Sequence, residues 1–162
     1  IESKKRGEAA KAVQHARGVR APQHRADGVN GLVVKIKIKA RVPGVLIVLA
    51  DPIGSGLADW VETGELGADG SYAIEGIGAS AVPENLHRDV IDCAEKVSDE
   101  ESFAMVRRLV REEGLLVGGS AGTNVVAALR IAARRDVTGP VVTVLPDSWD
   151  RYRSTPWMRA FV

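Results

Sequence analysis

The chain has a single cysteine, Cys93, in 162 residues. One thiol excludes an intrachain disulfide framework and a multi-cysteine zinc site, and it suits a reducing cytoplasm. There are three histidines, His15, His24 and His87. Their spacing matches no metal-ligand pattern, so no metal site is expected. Aromatic residues make up 4% of the chain, and Trp60, Trp149 and Trp157 are too far apart in sequence to form a stacking platform. No run of about 18 apolar residues occurs, which argues against a membrane-spanning helix. The first residues are charged and lack the apolar stretch of a signal peptide.

What is present is ordinary in amount and uneven in place. A hydrophobic fraction of 45% with 27% charged residues is the composition of a globular protein, and the length suits one domain. The net charge of +1 conceals a split. Residues 1–40 carry ten basic and three acidic side chains, a net of +7, whereas residues 41–162 carry twelve and eighteen, a net of −6. Such asymmetry marks a basic arm for a polyanion or a chain of mixed origin. No aromatic residue interleaves the charges of residues 4–41 and no base-reading motif accompanies them, so a solvated arm is expected there in preference to a nucleic-acid surface.

Residues 1–30 show no apolar period, and Gly18 and Pro22 would interrupt a helix. Residues 32–39 alternate apolar and basic, which predicts a strand with one wet face. Val45 to Ala50 is an unbroken apolar run ended by Asp51-Pro52, as in a buried parallel strand. A Gly- and Asp-rich loop over 54–71 holds a short helical piece near Leu57–Val61. A short strand is expected within Asp89–Val97. Ser98 and Glu101 form a capping box. The helix after it aligns Phe103, Val106, Leu109 and Val110 and stops at Gly114. Leu115–Val117 is a strand candidate. Gly118-Gly119-Ser120-Ala121-Gly122 opens an Ala-rich helix running to Arg134-Arg135, and Val141–Leu145 predicts another buried strand. The alternation predicts an α/β fold, three-layer, with a mostly parallel sheet and flanking helices.

Three short runs can carry chemistry. The small residues of Gly118–Gly122 let the backbone approach a ligand, and the helix N-terminus that follows offers free N–H groups. Ser120 adds a hydroxyl that can donate or accept. A tight turn with Ser120 as the helix cap is the alternative. The run is neither a Walker loop nor a dinucleotide fingerprint. Glu75-Gly76-Ile77-Gly78 makes a second Gly-flanked loop, which a plain turn also explains. Leu145-Pro146-Asp147-Ser148 stands at a strand's carboxyl end, where α/β sheets bind ligands.

In this order, Asp51-Pro52-Ile53-Gly54-Ser55, Glu75–Gly78, Glu113–Gly122 and Leu145–Ser148 resemble the C-terminal part of fold-type II pyridoxal-phosphate enzymes, the cystathionine β-synthase and cysteine synthase family. The likeness covers Lys39 to Phe161. It implies that Ser120, with Gly119, binds the pyridine nitrogen of pyridoxal 5'-phosphate and that Asp147 lies beside that end of the ring. A neutral hydroxyl there weakens the electron sink and suits β-elimination and replacement. It further implies that Glu75, Gly76 and Gly78 bound the amino-acid substrate. The family reaction joins serine, or an activated serine, to a thiol. Ala79, which follows Gly78, leaves the subfamily open.

The same resemblance exposes gaps. The family's Schiff-base lysine and its substrate-carboxylate loop lie in a first half that this sequence does not contain. Where the family carries a Gly-Thr-Gly-Gly-Thr phosphate cradle, the chain reads Ala26-Asp27-Gly28-Val29-Asn30-Gly31, and Asp27 would repel a phosphate. Residues 1–38 are therefore expected to be a loosely ordered, non-family basic segment, the product of truncation or frame disruption. Residues 39–162 are expected to be the C-terminal portion of a β-synthase core. Alone, such a chain would lack a catalytic lysine and be inactive. Its expected partner is a second copy or a chain supplying the missing half. A non-catalytic subunit or a basic-armed polyanion binder is the alternative.

Overall fold

A parallel pair of strands lies between helices, and the pattern of side chains along each strand shows why. The structure is a computed structural model that describes residues 37–159. Strand β1, Val48–Pro52, pairs in parallel with β2, Cys93–Val97, in a register from Val48 opposite Cys93 to Pro52 opposite Val97. Successive strand residues face opposite sides. Leu49 and Ala94 accordingly pack with Val61 of helix α1, Leu57–Thr63. Ala50 and Val97 pack with Val126 and Ala127 of helix α3, Gly119–Ala132. The result is a three-layer α/β arrangement. Helix α2, Asp99–Glu113, packs on α3 around buried Val106, Leu109, Val117 and Ala121. A 3-10 turn at Trp149–Tyr152 and a short helix α4, Pro156–Arg159, follow.

The helix ends follow from local chemistry. Ser98 caps α2 with a complete capping box: its hydroxyl accepts from Glu101 N–H, and the Glu101 carboxylate accepts from Ser98 N–H at 3.0 Å. Gly114, at φ 66°, ends the helix in the left-handed conformation that glycine adopts without strain. Helix α1 has no cap from its own N-cap residue, Gly56. Instead Asp51 Oδ2 accepts from Ala58 N–H at 2.8 Å and Ser55 Oγ from Leu57 N–H at 3.3 Å. Burial pushes the Asp51 carboxyl up, against the hydrogen bonds of Ser55 and Ala58 and the charge of Lys96.

Several expectations are corrected. The first strand starts at Val48 and takes in Asp51 and Pro52 instead of ending before them. Pro52 fits because it closes the strand, where its missing N–H costs no ladder bond; the ladder continues with Ile53 N–H to Val97 O. Residues 37–41 are helical, not extended, with Val42 N–H bonded to Ile38 O at 2.8 Å. The Lys-Ile alternation there follows no sheet, and Lys39 reaches Asp92 instead. The rest of that expected strand, and the expected loose segment over 1–30, lie outside the described residues.

Leu115–Val117 makes one antiparallel bridge, Val117 to Ser148, and no strand. Val141–Leu145 is neither buried nor paired: Val142 is 86% exposed and Val144 68%. No strand lies beside it among the described residues, and the Val144 carbonyl is taken by Asn124 Nδ2 at 2.9 Å.

The α2–α3 contact is made at Gly122. A Cβ there would collide with the Ser102 carbonyl and with Val106, and beside it Ser102 and Thr123 share a buried hydroxyl–hydroxyl bond of 2.9 Å. Replacing Gly122 by Ala should therefore cost about 1–3 kcal/mol, read by urea unfolding. Ser98→Ala should cost about 1 kcal/mol. Glu101 is held below the ordinary Glu range, first by the Ser98 N–H and then by the Ser98 hydroxyl and Arg130. Its contribution to stability is thus complete above that range and is lost as pH falls through its lowered value. Unfolding curves at neutral and acid pH should show the Ser98→Ala penalty shrinking in acid.

Candidate functional site

The run Val117–Thr123 is buried throughout. Gly118 is the N-cap of α3, with extended backbone and no side chain to cap, and Ser120 lies inside the first turn. The helix-cap role considered for Ser120 is therefore not what it does. Ser120 is 4% exposed, and no group among the described residues hydrogen-bonds its hydroxyl. The first turn of α3 also carries no acidic residue, which leaves its free N–H groups and positive field uncompensated from within the helix.

Asp147 comes to this helix end from 29 positions downstream. Its carbonyl accepts from Gly118 N–H at 3.3 Å, and its Oδ2 accepts from the Tyr152 hydroxyl at 2.6 Å. Its Oδ1 is buried without a partner. Any side chain at Gly118 would run into that oxygen and into the Tyr152 ring. Burial pushes the Tyr152 phenol up to about 12, reinforced by the hydrogen bond and charge of Asp147 and by the charge of Glu75.

The Glu75–Gly78 loop approaches from the carboxyl ends of the strands. Gly76 and Gly78 have φ of 78° and 76°, conformations that other residues enter only with strain. A Cβ at Gly78 would meet Pro52 Cγ at 2.7 Å. Two side chains tie the loop at either end. Asp99 accepts from Ala73 N–H at 2.6 Å. Ser55 Oγ accepts from Ala79 N–H at 3.0 Å and donates to Ala79 O at 3.2 Å. Between them Ile74 is 2% exposed and sits 3.3 Å from where a Gly119 Cβ would stand. The loop is thereby held against the N-terminus of α3, with Glu75 and Gly76 exposed.

All six residues singled out in the sequence thus meet at one place, the carboxyl end of the sheet where α/β proteins bind ligands. Sequence reading gave no role to Tyr152 or Asp99 and named Ser55 only as part of the Asp51–Ser55 motif, yet these three hold the pieces together. It also missed an aromatic group. Trp157 stacks on Phe103 at 4.8 Å and tilts against Tyr152 at 5.6 Å. The tryptophans form no platform with one another, but Trp157 builds one with residues far from it in sequence. The only available signal was the position of Tyr152 in the tail that follows Asp147.

Elsewhere, Val61, Arg88, Ile91 and Cys93 line a surface depression that shares no residue with this site. Its Arg88 is committed to the carbonyls of Val61 and Glu62. Among the described residues no cluster of three His, Cys, Asp or Glu side chains is placed to hold a metal. No helix among them is long and apolar enough to cross a membrane.

Comparison with known proteins agrees with the geometry. The family profile for a pyridoxal-phosphate dependent enzyme matches residues 18–147, starting upstream of Lys39. The chain is 42% identical over 127 residues to cystathionine beta-synthase of Dictyostelium discoideum, a match covering 77% of this chain and 25% of that protein. It is 39% identical over 117 residues to cysteine synthase of Helicobacter pylori, covering 72% and 36%. Among solved structures, the O-acetylserine dependent cystathionine beta-synthase of Helicobacter pylori superposes with a TM-score of 0.63 at 39% identity, covering 75% of this chain and 37% of that one. Cysteine synthase of Entamoeba histolytica gives 0.70 at 27% identity, covering 78% and 36%. The chain thus spans about a quarter to a third of the length of these relatives. It belongs to the pyridoxal-phosphate dependent enzymes, in the group that includes cystathionine beta-synthase and cysteine synthase.

Proposed function

We propose that residues 39–162 are the C-terminal portion of the catalytic core of a pyridoxal-phosphate-dependent β-synthase. The whole core would replace the β-substituent of serine or an activated serine with a thiol, in the cytoplasm. The observation that carries this is the placement of Ser120, 4% exposed, in the first turn of α3 beside Gly118 and Gly119, with no described group hydrogen-bonded to its hydroxyl. The residues present fit the pyridine end of the cofactor. Ser120 offers a neutral donor or acceptor, Gly118 and Gly119 leave the backbone open, and Asp147 keeps one buried oxygen unpartnered. When bound, pyridoxal phosphate supplies the electron sink for β-elimination and replacement.

The chain's own residues would orient and enclose. Ser120, with Gly119, would hold the ring nitrogen by a hydrogen bond, and a hydroxyl would not protonate it. Asp147 would flank the same end. Glu75, Gly76 and Gly78 would bound the amino acid, the glycines keeping the loop backbone close to the carboxyl ends of β1 and β2.

Of the three described lysines, Lys37, Lys39 and Lys96, the latter two are each bound at 2.6 Å to a carboxylate, Asp92 and Asp59. The chain spans about a quarter of the length of a related cystathionine beta-synthase, and by itself it is read as inactive. The family match begins at residue 18 and so takes in part of the basic segment. The exposed valines of the 141–145 segment favour a second reading beside the first: a subunit that associates with a second copy or with the remainder of such a core, burying that face.

Incubating the chain with pyridoxal phosphate and reducing with borohydride should label no single lysine in preference to the others when the digest is read by mass spectrometry. A visible absorption band together with one pyridoxyl-lysine would overturn the inactivity. Ser120→Ala should weaken reversible binding of pyridoxal phosphate by about tenfold, the worth of one lost hydrogen bond, followed by the cofactor's fluorescence.

A further inference from the structure

Helix α3 begins without a side-chain cap and without an acidic residue in its first turn. The negative charge at that end comes from Asp147, outside the helix. How the Asp147 carboxylate is oriented depends on one side chain. Tyr152 is 7% exposed, and its hydroxyl donates to Asp147 Oδ2 at 2.6 Å. The other oxygen, Oδ1, is buried, has no partner and lies against Gly118. Asp51 and Asp99 also keep one such oxygen; what sets Asp147 apart is that its Oδ1 stands where a Gly118 side chain would begin, at the start of α3.

The Tyr152 ring is itself pinned. It tilts against Trp157, which stacks on Phe103, and Phe103 approaches Gly119. The position of the phenol is therefore tied to the same two helices that place Ser120. The charged groups that face it are Asp147, Glu75 and Arg151.

We propose that Tyr152 is a positioning residue: by holding one oxygen of Asp147 it fixes that carboxylate as a directed negative charge over the first turn of α3, and so sets the electrostatic surroundings of Ser120. The proposal rests on the cofactor role given above to that helix end. The fixed charge opposes the positive field of the helix N-terminus and keeps Oδ1 against Gly118. A Phe at 152 would keep the ring contacts and lose only this control.

The test uses the complete isotope-labelled chain and the variants Tyr152→Phe and Asp147→Asn. Amide exchange at Gly118–Ala121 should quicken about tenfold in Tyr152→Phe while the amides of α2 stay as they were. Asp147→Asn keeps the shape and an acceptor but removes the charge. It should shift the Ser120 amide resonance and lower the tyrosinate titration of Tyr152 from about 12, with Tyr152→Phe as the blank for Tyr72. Both variants should weaken pyridoxal-phosphate binding.

If the native chain binds no pyridoxal phosphate, the proposed function fails, and the exchange and titration readings still decide the role of Tyr152. Unchanged exchange in Tyr152→Phe overturns the proposal. So does an Asp147→Asn variant that moves neither Ser120 nor the Tyr152 titration, because a contact that only packs would be indifferent to the charge. Should Tyr152→Phe fail to fold, the Asp147→Asn readings alone decide it.

Discussion

Residue 122 has no side chain, and the remainder of the site depends on that. With Gly122 set against the Ser102 carbonyl, α2 and α3 lie close enough for Ser102 and Thr123 to share a buried hydrogen bond. Val106 and Ala121 can then both be fully buried. This contact holds the first turn of α3 beneath Phe103 and Ile74, and with it the Ser120 hydroxyl. Close packing transmits such constraints because interiors do not yield by small amounts.

Around that contact the site is assembled mostly by carboxylates and hydroxyls that accept backbone N–H groups. Asp51 and Ser55 do this for α1, Ser55 again for Ala79, and Asp99 for Ala73. The bonds to α1 are local, those to Ala73 and Ala79 join segments 26 and 24 positions apart, and each satisfies a backbone group that the turn geometry would otherwise leave open. These ties explain how a loop with two left-handed glycines can hold its place against α3. Ser55, Asp51 and Asp99 each give an acceptor to backbone N–H groups, and Asp51, Asp99 and Asp147 each keep one buried carboxylate oxygen without a partner.

Legibility from sequence followed the range of the interactions. The capping box of α2, its Gly114 stop and the glycine-rich start of α3 are set by residues within a few positions of one another, and all are found where they were expected. The strand at Val141–Leu145 was misjudged because an apolar run has no definite structure without a neighbour to pair with, and none lies beside it among the described residues. The helical residues 37–41 were misjudged for the converse reason. Their two-residue alternation imitates a strand, but a period of two describes a strand only when a sheet is there to receive it.

The sequence by itself singled out Ser120 and Gly119, Asp147, and the Glu75–Gly78 loop as candidates, through the order of their motifs along the chain and the family resemblance that order carries. The tertiary structure decided that these pieces meet. Only packing could bring Asp147 and Tyr152 over Gly118, tie Ala73 and Ala79 through Asp99 and Ser55, and leave Ser120 buried without a partner among the described residues. Those are contacts between residues separated by tens of positions, and their energies depend on burial and direction, which local sequence does not specify.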